Sequence, residues 1–200
     1  MQKLVESFNH DLHIQLAGLI SQSQCRRFIT DYEAADQRAV DEIINECLEQ
    51  LFNKELDALL LGYFQTEYAI CWPKFGVIEH LAWQHNYSTR WHLDGGVKRT
   101  LKLFVYLNSV KEHGGNTLLM DKARTEKIRA QGFLPLEYGE RYRDLTIELQ
   151  QLNLSTKVIA YPLVAGDVLL FNPLELAHKC LPPIQQQKRY TISYTIIPKV

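Results

Sequence analysis

Two hundred residues with an ordinary apolar fraction suit one domain with a sizeable core. The 22 basic and 23 acidic side chains leave a formal charge of −1, so nothing in the balance points to nucleic acid or an anionic membrane as a partner. No run is long and apolar enough to span a bilayer. The opening MQKLVESFNHDLH lacks the basic-then-apolar layout of a secretory leader. The cysteines Cys25, Cys47, Cys71 and Cys180 form no CxxC pair, which speaks against a zinc site. Together these features predict a cytoplasmic protein with reduced, partly buried thiols.

The N-terminal third reads as helical. Ser21 or Ser23 caps a short helix through Cys25, Phe28 and Ile29. Asp36 then precedes a run in which Val40, Ile43, Ile44, Cys47, Leu48, Leu51 and Phe52 recur at helical spacing. That pattern buries one face, against a sheet. Gly62 is the expected stop. From Tyr63 onward, Tyr, Phe, Val, Ile, Thr and Trp become frequent and the turns carry Gly, Pro and Asn. The predicted strands are 63–71, 76–84, 87–93, 99–107, 157–161, 167–171, 176–180 and 189–197. Turn signals fall at Trp72-Pro73, Gly95-Gly96, Gly114-Gly115, Gly166-Asp167, Asn172-Pro173 and Pro182-Pro183. Short strands without crossover helices predict an antiparallel sandwich or barrel. Residues 121–153 interrupt the rhythm: they are charged, and a helix is predicted from Arg124 to Gln131, stopped by Gly132. This insertion is either a lid or a solvated loop.

His92 and Asp94 carry the most chemistry. On a strand, residues two apart point the same way, so an imidazole and a carboxylate can reach one ion. Gly95-Gly96 let the chain turn sharply just past them. His178 is the third candidate ligand, on a later strand. Two histidines and one carboxylate form the triad that holds non-haem Fe(II) and leaves positions open for a co-substrate and O2. Taken alone, HxD is a common pattern, and His10, His13, His80, His85 and His113 lack comparable partners. On the last strand, Arg189, Thr191, Ser193 and Thr195 share one face, and Tyr190, Ile192, Tyr194 and Ile196 share the other. The polar face is either solvated or lines a barrel interior.

The segments WHLDGG, VKRTLKLFVYLNSV, KEHGGNTLL, PLVAGDVLLFNP, AHKCLPP and KRYTISYTIIP follow one another in this order. Together they resemble the Fe(II)/2-oxoglutarate-dependent oxygenase superfamily, and most closely its prolyl-hydroxylase-like and phytanoyl-type members. The likeness covers roughly residues 80–198. It implies a mainly β fold: a double-stranded β-helix (jelly-roll) barrel buttressed by N-terminal α-helices. The chain would be a single oxygenase domain over 1–200, with 1–62 as the helical buttress and 63–200 as the barrel carrying the insertion 121–153.

The resemblance also implies site roles. His92, Asp94 and His178 would be the metal ligands and catalytic centre. A dicarboxylate needs a cation at its far end, ideally a bidentate fork, and Arg189, within Arg189-Tyr190-Thr191, stands where the superfamily carries it. Tyr106 matches a tyrosine that hydrogen-bonds the same carboxylate, and Thr117 a position lining the co-substrate pocket. Lys102, on the strand face of Tyr106, is the fallback anchor, and Lys188 is out of phase. Fe(II), 2-oxoglutarate and O2 would then serve a dioxygenase that hydroxylates a C–H bond and releases succinate and CO2. Asp94 favours hydroxylation, desaturation or ring formation, because halogenating relatives carry a small residue at that position.

The expected substrate is a small molecule or an amino acid, free or in a protein. Arg90, two residues before His92, is a candidate for a substrate carboxylate or an ordinary surface arginine. Arg124, Arg129, Arg141 and Arg143 belong to the possible lid. The widened spacing between His92 and His178, and Gln84-His85-Asn86-Tyr87-Ser88 where a glycine-bearing stretch is usual, weigh against a prolyl substrate. Two competing readings are a cupin-like metal enzyme without 2-oxoglutarate and a non-catalytic jelly-roll binding module. Cupin sites typically carry HxH, and this chain has HxD.

Overall fold

The computed structural model describes residues 2–34, 37–80, 86–132, 145–154 and 158–199. The N-terminal part holds helix α1 (Gln2–Asp11), strand β1 (His13–Leu16), and helices α2 (Gln22–Ala34), α3 (Gln37–Leu51) and α4 (Lys54–Phe64). Six strands follow: β2 (Tyr68–Glu79), β3 (Leu101–Tyr106), β4 (Thr117–Leu119), β5 (Val168–Phe171), β6 (His178–Cys180) and β7 (Lys188–Pro198). Among the described residues no helix is long and apolar enough to cross a membrane.

Local chemistry explains the helix ends. The Ser21 hydroxyl accepts from the Gln24 backbone amide at 3.3 Å while the Gln24 side-chain Oε1 accepts from the Ser21 backbone amide at 3.1 Å, a reciprocal cap for α2. Asn53 separates α3 from α4 by accepting from the amides of Glu55 and Leu56 at 2.9 and 3.0 Å. Gly62 is not the stop. It lies inside α4, where a Cβ would meet Val5 of α1 at 2.9 Å, and the helix ends at Gln65 in the left-handed region. The glycine therefore serves close approach of two helices.

The strands form a five-stranded sheet in the order β1-β5-β3-β7-β2 and a two-stranded sheet, β4-β6, with every pair antiparallel. Isolated bridges join His92 to His178 and Leu119 to Ile159, so the smaller sheet gains a segment on either side. Among the described residues the sheets do not close into a barrel. One face of the large sheet packs on the helices. There Leu101, Leu103, Val105, Ile192, Tyr194 and Phe75 join Phe28, Cys47, Leu51 and Leu60 in one apolar core. Each such side chain contributes about 1.5–3 kcal/mol on burial. Tyr32 of α2 stacks on Phe75 at 4.1 Å, and the Tyr194 hydroxyl donates to the Ile44 carbonyl of α3. The opposite face of β7 carries Arg189, Thr191 and Ser193, which line a cavity facing the small sheet.

The register differs from expectation in one region. Predicted strands 63–71 and 76–84, with a turn at Trp72-Pro73, are one strand, β2, preceded by the end of α4. Trp72-Pro73 is a bulge: pairing with β7 shifts between Cys71 and Lys74, and Trp72 has φ +47°. Residues 81–84 of that prediction lie outside the described residues, as does His85. Predicted strand 87–93 is a 3-10 turn at Tyr87–Thr89 followed by the single bridge at His92. Segments 99–107, 167–171 and 176–180 contain β3, β5 and β6, 189–197 lies within β7, and 157–161 supplies the bridge at Ile159. Two strands lay outside the expectations, β1 and β4.

Two turn glycines are fixed by geometry. Gly166 has φ +92°, and a Cβ there would meet the Ile20 carbonyl at 1.9 Å. A Cβ on Gly115 would meet the backbone of Leu181 and Pro183 at 2.9 and 3.0 Å. Gly95 and Gly96 are different: the residue with positive φ in that turn is Arg99. Within the insertion, the helix runs Lys122–Arg129, two residues earlier than expected, because the Asp121 carboxylate caps it through the Arg124 amide at 2.8 Å.

Candidate active site

Residues 91–94 alternate although they form no regular strand. Trp91 and Leu93 turn into a small apolar core with Met120, Ile128, Leu145, Leu149, Leu154 and Ala177. That leaves His92 and Asp94 to face the other way. Two reciprocal backbone hydrogen bonds, His92 N–H to His178 O at 3.0 Å and His178 N–H to His92 O at 2.9 Å, set the two histidines side by side. Their rings lie 4.2 Å apart, centroid to centroid. The Asp94 amide donates to the Pro173 carbonyl at 3.0 Å. Asn172 shapes that turn by accepting from Leu174 and Glu175 and donating to Tyr63 Oη. Asn172-Pro173 is thus more than the turn the sequence signals, because it holds the backbone of Asp94.

Asp94 Oδ1 lies 3.6 Å from His92 Nε2 and 3.9 Å from His178 Nε2. One donor atom from each of the three residues falls within 4.8 Å of the others. Each histidine Nδ1 meets a backbone carbonyl: Arg90 O for His92 at 2.7 Å and Leu176 O for His178 at 3.0 Å. That contact puts the proton on Nδ1 and turns the Nε2 lone pair toward Asp94, the arrangement that orients imidazole ligands around a metal. All three side chains are buried. Burial, reinforced by His92, holds the His178 imidazole well below its ordinary pKa, so it stays neutral, the form that ligates. Burial alone would raise Asp94, but the Lys102 ammonium on its Oδ2 pulls the other way and keeps it ionised, well below the usual carboxylate range. Two imidazoles and a carboxylate on one face suit a divalent non-haem metal with open positions.

At the far end of the cavity, Arg189 is buried. Its Nη2 donates to Tyr106 Oη at 2.7 Å and to Thr117 Oγ1 at 2.9 Å, and its Nη1 donates to Cys180 Sγ at 2.8 Å. The guanidinium lies 4.6 Å from the Tyr106 ring centroid. Tyr106 Oη also donates to Thr117 Oγ1 and accepts from the Thr117 amide. Thr191 pairs with both Gly76 and Tyr106 and lines the cavity between Arg189 and Ser193. Among the described residues no carboxylate pairs with Arg189. A buried cation without a counter-charge calls for an anionic ligand.

The remaining candidates fall elsewhere. Lys102 lines the cavity but is engaged by Asp94. Arg90 is exposed and does not line the cavity; the site uses its carbonyl. Arg124 is paired with Asp121, and Arg129 with Glu126 and Glu175, and neither lines the cavity. Arg141 and Arg143 lie outside the described residues. All four cysteines are free thiols, with burial pushing Cys25 up to about 11 and Cys47 up to about 12. Cavity residues that the sequence did not single out include Trp72, Lys74, Gly76 and Ile78 of β2, with Ser88, Phe104, Lys179 and Cys180 from elsewhere. For the β2 residues the signal was the alternation 74, 76, 78 against buried Phe75, and dividing the strand at Trp72-Pro73 left Lys74 outside it.

No family model matches the sequence, and no curated protein does. Solved structures do match, over nearly the whole chain. The non-heme alpha ketoglutarate dependent epimerase SnoN from nogalamycin biosynthesis is 12% identical, with 98% of this chain and 82% of that one covered at TM-score 0.70. HygX from Streptomyces hygroscopicus, solved with iron bound, is 12% identical, with 100% and 87% covered at TM-score 0.66. The carbocyclase SnoK, also alpha ketoglutarate dependent and from nogalamycin biosynthesis, is 15% identical, with 99% and 84% covered at TM-score 0.67. The chain has the fold that these non-heme enzymes share.

Proposed function

We propose that this chain is an Fe(II)- and 2-oxoglutarate-dependent dioxygenase that hydroxylates a C–H bond of a small molecule. The observation that carries the reading is the pairing, in one cavity, of a buried His92–Asp94–His178 cluster with a buried Arg189 lacking a carboxylate partner among the described residues. One end suits a metal and the other an anion, as a metal-chelating dicarboxylate requires. Structures of the shared fold support it: SnoN was solved with Fe3+ and alpha ketoglutarate, and HygX with nickel and 2-oxoglutarate.

His92, Asp94 and His178 would hold Fe(II) on one side. Lys102 keeps the second Asp94 oxygen occupied, so the carboxylate offers Oδ1 alone. Arg189, braced by Tyr106 and Thr117, would orient the far carboxylate of 2-oxoglutarate, with Thr191 along its flank. When bound, Fe(II) and 2-oxoglutarate supply O2 activation with release of succinate and CO2. Because Lys102 is committed to Asp94, Arg189 is the anchor. Residues 91–94, β6, β4 and Ile159 form a second wall opposite the large sheet, and this two-walled layout supports a double-stranded β-helix within a single domain. The cavity encloses ≈ 260 Å³, which suits a small molecule. The fold also hosts epimerisation and ring closure, so hydroxylation rests on the site and not on the fold.

An anaerobic titration of the apoprotein with Fe(II) and then 2-oxoglutarate tests the proposal. A visible charge-transfer band that needs both additions, and is absent in Asp94→Ala, is expected. Metal binding without a band would favour a cupin-like enzyme, and binding of neither would favour a non-catalytic module.

A further inference from the structure

The strand register orders the cavity into rows. Ile78 pairs with Arg189; Gly76 and Tyr106 pair with Thr191; Lys74 and Phe104 pair with Ser193. The first two rows hold the Arg189 anchor. The third row and the adjoining bulge place Lys74, Phe104, Ser193 and Trp72 at the other end of the cavity. Nothing in the proposed co-substrate site uses these four side chains.

Three features of this end point to a ligand. Trp72 is 53% exposed although it lines the cavity. It also sits at φ +47°, a conformation costly for a bulky residue. A bulge that re-aims a side chain beside a site is a recurrent device of functional sheets. Phe104, partly buried and stacked on Phe171 at 5.9 Å, adds a second aromatic surface. The charge balance is also uneven. Arg189 and Lys74 alternate into the cavity, and among the described residues no carboxylate pairs with either, whereas Lys102 has Asp94. A dicarboxylate on Arg189 and the metal would leave Lys74 as the second cation. Lys179 also borders the cavity, but it is out of phase with His178 and Cys180 and its ammonium lies over the Trp91 ring at 5.1 Å.

Resting on the oxygenase reading above, we propose that the substrate is a small molecule with a flat, apolar ring portion and an anionic group. Trp72 and Phe104 seat the ring, and the Lys74 ammonium receives the anion beside Ser193, whose hydroxyl donates to the Lys74 carbonyl at 3.4 Å. Gly76 keeps the floor between the two anion sites open, since a Cβ there would meet Thr191 Oγ1 at 3.2 Å.

Anaerobic calorimetry on the Fe(II)- and 2-oxoglutarate-loaded protein tests this, using benzoate, 2-naphthoate and indole-3-acetate against their neutral amides. At least one acid should bind about fivefold tighter than its amide, the scale of a partly exposed ion pair. Lys74→Gln should erase the preference, and Trp72→Ala should weaken acid and amide alike by about tenfold. Both residues are exposed, so both variants should keep the wild-type Tm within a few degrees. Equal binding of acid and amide, a preference surviving Lys74→Gln, or no binding across the panel would overturn the proposal. The same comparison on metal-free Arg189→Met separates this failure from failure of the oxygenase reading. There the Lys74-dependent preference should persist even if no charge-transfer band ever forms in the wild type.

Discussion

The large sheet and the small sheet are supported very differently. The large one lies on helices α1–α4 and one continuous apolar core. The small one is backed by a separate cluster of Trp91, Leu93, Met120, Ile128, Leu145, Leu149, Leu154 and Ala177. The proposed functions divide along the same line. Arg189, Tyr106 and Thr191 stand on the large sheet, whereas His178 stands on the small one and His92 is bridged to it. Asp94 links the two, through the Pro173 carbonyl after β5 and through Lys102 on β3. Co-substrate recognition is therefore built mainly into the thicker layer, with Thr117 of β4 bracing Arg189 from the thinner one, and metal geometry depends on that thinner layer.

The sharpest way to break this comparison is at the ligands. His92→Ala and His178→Ala should each lower Fe(II)-dependent succinate formation by about a thousandfold or more, with Tm within a few degrees because neither side chain belongs to an apolar core. Succinate release at wild-type rate in either variant would remove that residue from the metal site.

Arg189→Met addresses the other layer and should act more mildly. Losing a charge-assisted fork costs about 1.5–3 kcal/mol, so the 2-oxoglutarate concentration for half-maximal turnover should rise by about 10- to 150-fold, with Fe(II) affinity unchanged. An unchanged requirement would transfer the anchor to Lys102.

A pair of core variants sharpens the division. Leu170→Ala removes a fully buried side chain of the large core and should cost about 2–5 kcal/mol in chemical denaturation. Fe(II) affinity, measured well below the transition, should hold. Leu149→Ala trims the small core behind Trp91 and Leu93 and should weaken Fe(II) binding by about tenfold, because the segment carrying His92 and Asp94 leans on it. Equal Fe(II) affinities in the two variants would refute the division of labour.

These contrasts also separate what was legible in the sequence from what was not. The alternation of β7 distinguished Arg189 and Thr191 from Tyr190 and Ile192, and the cavity lining follows it although all four are buried. The spacing of His92 and Asp94 was legible too, although no regular strand enforces it. Trp91 and Leu93 enforce it by packing, a tertiary cause that periodicity mimics. Strand β2 was misread because Trp-Pro is a turn signal in isolation, while pairing with β7 absorbs it as a bulge. That one error left Lys74 outside both expected strands and broke its alternation with Gly76 and Ile78. Strands β1 and β4 were missed because they are four and three residues long and set by their partners β5 and β6.

The smallest expected effect concerns pH and lies on the large-sheet side. His113 is buried, accepts from the Gly115 amide through Nδ1 at 3.0 Å, and lies beside the Tyr106 ring at 6.4 Å. Burial first, and the Arg189 charge second, push its pKa down to about 4 from 6.5. An unfolded chain takes up this proton as pH drops below 6.5, and the folded chain does not until about 4. The stability conferred by neutral His113 is thus complete above pH 6.5 and is lost as pH falls from there toward 4, at no more than about 1.4 kcal/mol per pH unit, one proton's worth. His178 contributes with the same sign, so the informative quantity is a difference between proteins. His113→Asn keeps an acceptor for Gly115 but cannot titrate, and its stability measured in urea from pH 7.5 to pH 5 should fall less steeply than that of the wild type. Parallel curves would place the acid sensitivity on His178 and the metal side of the cavity instead.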